Sequence, residues 1–231
     1  MTIRQATADL GAYAPRRFPP AETLEGRSVA LEPIVDASRF NELWDAFSKD
    51  EDGRIWDWLA GGPFGDFESF SRYASKTYLA EGHRFYAFVP RESGRAQGVA
   101  ALFRADPANG VIELGHICLA PSLQRTVAAS EGFFLMMGLV LGPLGYRRLE
   151  WKCNDGNEGS KRAAARLGFT YEGLFRQHMI VKGRNRDTAW FSLLDSEWPA
   201  RREAFQAWLS PDNFGADGRQ LRSLRDFGPS R

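Results

Sequence analysis

An apolar run at residues 111–119, VIELGHICL, contains two side chains that can exchange protons, Glu113 and His116. Burial disfavours the charged form of a carboxyl group and raises its pKa, which is how proteins tune a general base. Glu113 is therefore a candidate base, although a strand carboxylate more often pairs with a neighbouring arginine. Strand alternation predicts two faces: Glu113, Gly115 and Ile117 on one, and Leu114, His116 and Cys118 on the other.

The segment after this run is a candidate anion site. A short turn leads from the strand into a long apolar helix predicted over 126–144. The first turn of a helix carries unpaired N–H groups and a partial positive charge, which suits a phosphate. Gln124, Arg125 and Thr126 add further donors. The alternative is an ordinary strand-to-helix turn that is capped by Ser122 or Thr126.

A second polar segment, CNDGNEGS at 153–160, follows a strand predicted over 148–153 and precedes a short helix. Asn157 and Ser160 are suitable caps for that helix, which is the purely structural interpretation. In the functional interpretation, the Asn157 side chain reaches an amide group of a ligand.

A glycine-rich segment at 50–65, EDGRIWDWLAGGPFGD, carries several large apolar side chains, including Trp56, Trp58 and Phe64. So many apolar groups in a loop indicate that it either packs on the core or lines a cavity. The two interpretations are about equally favoured by the residues alone.

Composition restricts the class of protein. Of the 231 residues, 43% are hydrophobic and 26% are charged, which is typical of a globular chain. The formal net charge of +1 gives no strong nucleic-acid signal. We see no membrane helix and no secretory signal, and two cysteines in apolar strands favour a reducing compartment, the cytoplasm. With 3 histidines and no close carboxylate cluster, we expect no metal site.

The predicted elements follow the order β-α-α-β-β-β-α-β-α-β-β-α, which predicts an α/β fold with a mixed sheet. We expect an extended N-terminal arm at 1–26, one domain at 27–209 and a flexible C-terminal tail at 210–231. Predicted helices lie at 36–47 (with Asp36 or Ser38 as N-cap), 66–81, 126–144, 158–167 and 195–209. Predicted strands lie at 28–33, 84–90, 97–104, 111–119, 148–153, 170–181 and 186–194.

Two motifs together resemble the GNAT superfamily of acetyl-CoA-dependent N-acetyltransferases, and within it the RimJ/RimL-like branch. The residues 124–129, QRTVAA, correspond to the Q/R-x-x-G-x-G/A signature, although Val127 stands where the family has its central glycine. The pattern N-x-x-S followed by G-F-x-x-E-G is matched by Asn157, Ser160, Gly168, Phe169, Glu172 and Gly173. The hairpin KGRNRD at 182–187 and the following WFSL also fit the branch.

This resemblance implies a mostly antiparallel mixed sheet of about seven strands, flanked by helices. It also implies acetyl-CoA as co-substrate, in a gap between the strand that ends at Leu119 and the strand that ends at Cys153. The pyrophosphate would lie on the turn, and the pantetheine would pair with the first strand and contact the second motif. The implied cofactor contacts are Ile117, Cys118, Leu119, Gln124, Arg125, Thr126, Val127, Ala128, Ala129, Ser130, Asn157 and Ser160.

The resemblance further implies roles in catalysis. Glu113 lies eleven residues before Gln124, the spacing at which many relatives have a base. The tyrosine that several relatives use as an acid is replaced by Ala164, so Ser160 or a water would protonate the thiolate. The acceptor pocket would be formed by Ile55, Trp56, Trp58 and Phe64 of the glycine-rich segment, with His178 and the KGRNRD hairpin on the other side. His116 would be a further substrate contact.

The predicted activity is transfer of an acetyl group to a primary amine by direct attack in a ternary complex. The acceptor is a small molecule or a protein N-terminus, and a homodimer stays open. The main alternative is a GNAT-fold module that binds acyl-CoA without turnover and acts as a sensor or partner-binding protein, which the absent glycine and tyrosine favour. A weaker alternative makes the arginines of the C-terminal tail an RNA or ribosome anchor.

Overall fold

A computed structural model of the chain describes residues 10–228. One mixed sheet of eight strands, in the order β1-β2-β3-β4-β5-β6-β8-β7, forms its centre. The pair β5–β6 is parallel and the other neighbouring pairs are antiparallel. The strands are β1 (Leu24–Glu25), β2 (Val29–Pro33), β3 (His83–Pro90), β4 (Gly98–Asp106), β5 (Val111–Leu119), β6 (Arg148–Asn154), β7 (Thr170–Val181) and β8 (Arg184–Leu194). The mixed α/β sheet is confirmed, and the strand beyond the expected seven is the short β1 within the predicted arm.

Five helices cover the two faces of the sheet. They are α1 (Phe40–Phe47), α2 (Phe67–Tyr78), α3 (Val127–Leu141), α4 (Glu158–Leu167) and α5 (Trp198–Leu209). Apolar side chains of α3, α4 and α5 pack with one face of the sheet in a core that we call core A. Those of α1 and α2 pack with the other face, towards the β3–β5 side of the sheet, in core B.

Local hydrogen bonds decide where the helices begin. Helix α1 begins at Phe40 with Arg39 at the N-cap position, so the predicted caps Asp36 and Ser38 are wrong. The Asp36 carboxylate instead accepts the Ser38 N–H at 2.8 Å, which closes a tight turn before the helix. Helix α3 ends at Leu141, three residues before the predicted end at residue 144.

A β-bulge in β5 changes the predicted faces of that strand. His116 has a φ of +50°, and the β4–β5 register shifts between Gly115 and Cys118. His116 therefore lies on the same face as Glu113, against the rings of core B, and Ile117 packs against core A. The predicted alternation is wrong from His116 onwards, because a bulge adds one residue to a single strand.

Both terminal segments pack on the domain. In the N-terminal arm, the Pro20 carbonyl accepts from the Tyr86 hydroxyl, and the Arg17 carbonyl accepts from the Tyr146 hydroxyl. Near the C-terminus, Leu224 is 1% exposed and belongs to core A. The segment at 210–228 therefore differs from the flexible tail that its polar composition predicts.

Candidate active site

The parallel strands β5 and β6 separate soon after they meet. Their ladder covers only the pairs Val111–Arg148, Ile112–Leu149 and Glu113–Glu150. Beyond Glu113, β5 continues to pair with β4 on one edge, and no strand of the described chain pairs with its other edge. The result is a gap that opens towards the carboxyl ends of both strands, where a ligand can add to the free edge of β5.

The N-terminus of α3 follows β5 at this opening. Arg125 has a φ of +61°, and Thr126 caps the helix by accepting the Ala129 N–H at 3.1 Å. The amides of Val127 and Ala128 have no hydrogen-bond partner within residues 10–228. A cavity of about 720 Å³ lies beside them, and its other walls come mainly from the turn between β3 and β4 rather than from β6 or α4. Two free amides at the positive end of a helix suit an anion. Thr126 also caps the helix, as the alternative of an ordinary strand-to-helix turn predicts.

Hydroxyl groups near the turn are already used within the protein. Thr126 Oγ1 donates to the Leu123 carbonyl at 2.7 Å. Ser130 Oγ donates to the Thr126 carbonyl at 3.2 Å and accepts from Arg166 Nη1 at 3.0 Å. Gln124 is exposed, and its Nε2 donates to the Leu119 carbonyl at 3.0 Å. The backbone amides, rather than these side chains, are therefore the free donors of the turn.

The N-terminus of α4 lies at the end of β6, on the other side of the gap. Asn157 Oδ1 caps the helix by accepting the Ser160 N–H at 3.0 Å, so the Asn157 amide NH₂ is the part left for a ligand. Ser160 Oγ accepts from Trp151 Nε1 at 2.9 Å. Burial raises the pKa of the Cys153 thiol, and Ser160 opposes this shift with a smaller effect. Ala164 is fully buried in core A.

Glu113 is 3% exposed and is held by two cations. Lys152 Nζ lies 2.9 Å and Arg104 Nη1 lies 3.1 Å from its Oε2. Lys152, whose side chain is 8% exposed, also contacts Glu150 at 2.7 Å. Paired cations lower the cost of burying a carboxylate. The pairing interpretation of Glu113 thus holds, and a catalytic role must operate within this network.

His116 lies beside Glu113 on the core B face. Its ring centroid is 4.7 Å from that of Phe103 and 5.6 Å from that of His83. Burial, followed by the charges of His83, Arg104 and Arg186, lowers the pKa of His116 to about 4. The imidazole is therefore neutral at neutral pH and can donate or accept a hydrogen bond but carries no charge.

The aromatic loop divides into two parts. Trp56 is 4% exposed and packs edge-on against Phe47, Phe64 and Tyr73, which favours its interpretation as a core residue. Trp58 is 43% exposed and lies against Gly156, at the start of the α4 region. The loop therefore reaches from core B to the mouth of the gap.

The β7–β8 hairpin closes the site from the other side. Lys182 Nζ donates to the Trp56 carbonyl at 2.9 Å, which ties the hairpin to the aromatic loop. His178 Nδ1 lies 3.0 Å from Thr188 Oγ1, and its ring is 6.0 Å from that of Trp190. His178 and Trp58 are far apart in the sequence, but the elements that carry them border the same gap.

Lys152 and Trp190, which sequence reasoning did not select, contribute to this face together with Arg186 of the predicted KGRNRD hairpin. Lys152 Nζ lies 3.9 Å from the centroid of Trp190, and the two residues are register partners on β6 and β8. A lysine inside the strand RLEWKC is the signal that was available, because a cation in a buried strand needs a partner.

Within residues 10–228, no group of three His, Cys, Asp or Glu side chains is arranged to hold a metal ion. No helix in the same range has the length and apolar character needed to cross a membrane.

Comparisons with known proteins show the family to which the chain belongs. The family model of the acetyltransferase (GNAT) domain matches residues 29–170. A crystal structure of a GCN5-related N-acetyltransferase from Brucella melitensis is similar, with 46% identity, a TM-score of 0.91, and coverage of 94% of this chain and 99% of that chain. The structure of a probable GNAT-family acetyltransferase from Chromobacterium violaceum has 36% identity, a TM-score of 0.79, and coverage of 87% and 100%.

More distant structures share the fold alone. An acetyl transferase from Salmonella typhimurium that modifies the N-terminal serine of ribosomal protein L7/L12 has 20% identity, a TM-score of 0.64, and coverage of 75% of this chain and 99% of that chain. No match was found among curated proteins. The chain belongs to the GNAT acetyltransferase family, whose members use acetyl-CoA as co-substrate.

Proposed function

We propose that this protein is an N-acetyltransferase that moves the acetyl group of acetyl-CoA to a primary amine by direct attack in a ternary complex. The observation that carries the proposal is the early separation of β5 and β6, with free amides of α3 at its opening. A strand edge for an extended chain and a helix N-terminus for a phosphate are thus placed next to each other.

The proposed cofactor site uses backbone groups first. Ile117, Cys118 and Leu119 would pair with the pantetheine at the free edge of β5, and the turn at 124–130 would hold the pyrophosphate through those of its amides that are free. Gln124, Thr126 and Ser130 are bonded within the protein and Arg125 is exposed, so affinity would depend on the free amides of Val127 and Ala128 together with the Arg125 guanidinium. The Asn157 NH₂ is available to an acyl or peptide-like carbonyl of the pantetheine.

The proposed chemistry begins with a neutral amine. An alkyl amine has a pKa of about 10, so it must lose a proton before it attacks. Glu113 would take this proton through a water, because its carboxylate is nearly inaccessible and bonded to Lys152. The amine nitrogen then attacks the thioester carbon, the C–S bond breaks, and the leaving thiolate takes a proton from Ser160 or a water. The surplus proton of the nitrogen returns to that donor through water, which leaves a neutral amide. The Ile117 N–H would stabilise the oxyanion, and alignment of the two reactants supplies much of the acceleration.

The acceptor would lie on the face that Glu113 shares with the aromatic loop and the hairpin. Trp58, His116 and His178 are the predicted substrate contacts that border this region, while Trp56 and Phe64 would support it from core B. A small-molecule amine and a protein N-terminus both remain candidates. The RimJ/RimL-like assignment belongs to this proposal, because the ribosomal-protein acetyltransferases among the similar structures share only the fold.

Release of free coenzyme A from acetyl-CoA in the presence of a panel of primary amines tests the proposal. We expect amine-dependent release, and we expect Glu113→Gln to lower kcat by about 100-fold or more, the usual range for loss of a general base. Glu150→Gln is the matched control, since it disturbs the same lysine but leaves Glu113 in place. Equal losses in the two variants would assign Glu113 a structural role only.

One observation favours a second candidate, a module that binds acyl-CoA without turnover. Val127 occupies the position of the family's central glycine, and it packs partly against core A. Its side chain keeps a bound phosphate farther from the backbone than glycine would. Binding of coenzyme A by calorimetry, combined with no release on any amine, would favour this candidate.

A further inference from the structure

Most charges around the β5–β6 gap are compensated in pairs. The described part of this face has a connected network of three cations and three carboxylates, in which each member contacts at least one opposite charge within 3.1 Å. The network therefore has no net charge. Its members are Arg104, Arg148, Lys152, Glu113, Glu150 and Glu172.

Arg186 lies beside this network and is a fourth cation without a carboxylate partner among the described residues. Its guanidinium charge adds to the effects that lower the pKa of His116, after burial and the charges of His83 and Arg104. Burial lowers its pKa. Arginine stays protonated in proteins, so a half-buried guanidinium without a counter-ion is an unfavourable arrangement unless an anion binds there.

Hydrogen bonding supports the same conclusion. Arg186 Nε is buried and has no hydrogen-bond partner within residues 10–228, and the same holds for Trp190 Nε1. Buried polar groups are nearly always paired, so each such donor requires an explanation. Strand alternation places Arg186 and Trp190 on one face of β8, with Thr188 between them.

The location of Arg186 connects these donors to the proposed acceptor site. Thr188 is the first residue of β8 in register with β6, opposite Asn154, the last residue of β6. Arg186 therefore lies beyond the carboxyl end of β6, on the side towards which the gap opens. The face of β8 that carries Arg186 is opposite to the face that carries Ala189 and Phe191. Those two residues are buried in core A beneath α3 and α4.

We propose that Arg186 binds an anionic group of the acceptor, so that the preferred acceptor is an amine that also carries a carboxylate or a phosphate group. This inference rests on the proposed function, because it assigns specificity to the same site. The guanidinium has donors in a planar fork that matches both kinds of anion. Trp190 Nε1 is a further donor on the same face, and the neutral His116 adds no opposing charge.

Matched pairs of amines test the inference. L-Phenylalanine is compared with L-phenylalaninamide, and O-phosphoethanolamine with ethanolamine, so that each pair differs in the anionic group. The enzyme is compared with Arg186→Gln and Arg186→Lys, and with Arg202→Gln, which removes an exposed arginine of α5. Binding in the presence of coenzyme A is measured by calorimetry, and acetyl transfer is measured as kcat/KM.

We expect the wild type to prefer the anionic member of at least one pair, and Arg186→Gln to reduce that preference by about 10- to 100-fold, as for a charge-assisted hydrogen bond. Arg186→Lys should keep part of the preference, and Arg202→Gln should keep all of it. The pair that responds shows whether carboxylate or phosphate is recognised.

Three results would overturn the inference. The first is equal binding of both members of each pair by the wild type, and the second is an equal loss of affinity and kcat/KM for both members in Arg186→Gln. The third is a raised KM for acetyl-CoA as the main effect of that variant. Loss of the proposed function is a separate result. If no amine is acetylated but the anionic amines still bind through Arg186, the inference stands and only turnover is refuted.

Discussion

The pH dependence of folding should report the buried imidazole of His116. Its pKa in the folded protein is lowered to about 4, against an ordinary value of 6.5, chiefly by burial. As the pH falls below 6.5, the unfolded chain therefore takes up a proton that the folded protein does not. The stability that the neutral imidazole contributes is present above this pH and is lost as the pH falls towards the folded pKa.

The magnitude follows from the difference between the two pKa values. Complete loss amounts to about 3 kcal/mol, and the loss between about pH 7 and about pH 5 amounts to about 2 kcal/mol. His116→Asn removes the titration, and asparagine tolerates the positive φ of +50° at this position. The variant also loses contacts with Phe103 and Phe85, so its stability should be lower at every pH.

Urea unfolding of both proteins at each pH provides the measurement. We expect the wild type to lose about 2 kcal/mol more than His116→Asn between about pH 7 and about pH 5. The ring signals of His116 in an NMR titration should not move over the same range. Parallel stability profiles for the two proteins, or a ring that titrates near its ordinary pKa, would refute the assigned burial of this histidine.

Four further substitutions test other contacts. Val127→Gly should tighten coenzyme A binding several-fold in calorimetry. It should also lower the free energy of unfolding in urea by about 0.5–1 kcal/mol, because glycine weakens a helix. Unchanged affinity would show that the valine does not obstruct the turn. Glu131→Gln should lower the free energy of unfolding by about 1–3 kcal/mol, since this carboxylate accepts hydrogen bonds from the N–H groups of Arg27 and Ser28 at 2.8 and 2.6 Å. An unchanged free energy of unfolding would contradict a stabilising role for these two hydrogen bonds. Ser160→Ala should lower kcat without raising the KM for acetyl-CoA, and a kcat equal to wild type would remove Ser160 as the proton donor. Leu224→Ala should cost about 2–4 kcal/mol in urea unfolding, and a neutral result would contradict the packing of the C-terminal segment on core A.

The sequence determined those features that depend on neighbouring residues. Helix α4 spans Glu158–Leu167 as predicted, because Asn157 caps its start and Gly168, with a φ of +103°, ends it. Strand β5 likewise covers the predicted residues 111–119. The order of strands and helices, and the motifs that resemble the GNAT family, are also properties of the chain itself. Such local signals need no knowledge of what packs above them.

Tertiary structure decided what each functional side chain contacts. The bulge at His116 arises from the register between β4 and β5, and a one-residue change moves every later side chain to the other face. From the sequence, Glu113 could be a solitary base or a paired carboxylate. The structure shows that it is paired, because β6 places Lys152 beside it. Burial likewise separated Trp56, within core B, from Trp58 at the mouth of the gap. Burial and charge pairing depend on residues far apart in the chain, so only the folded arrangement could reveal that Arg186 has no carboxylate partner between residues 10 and 228.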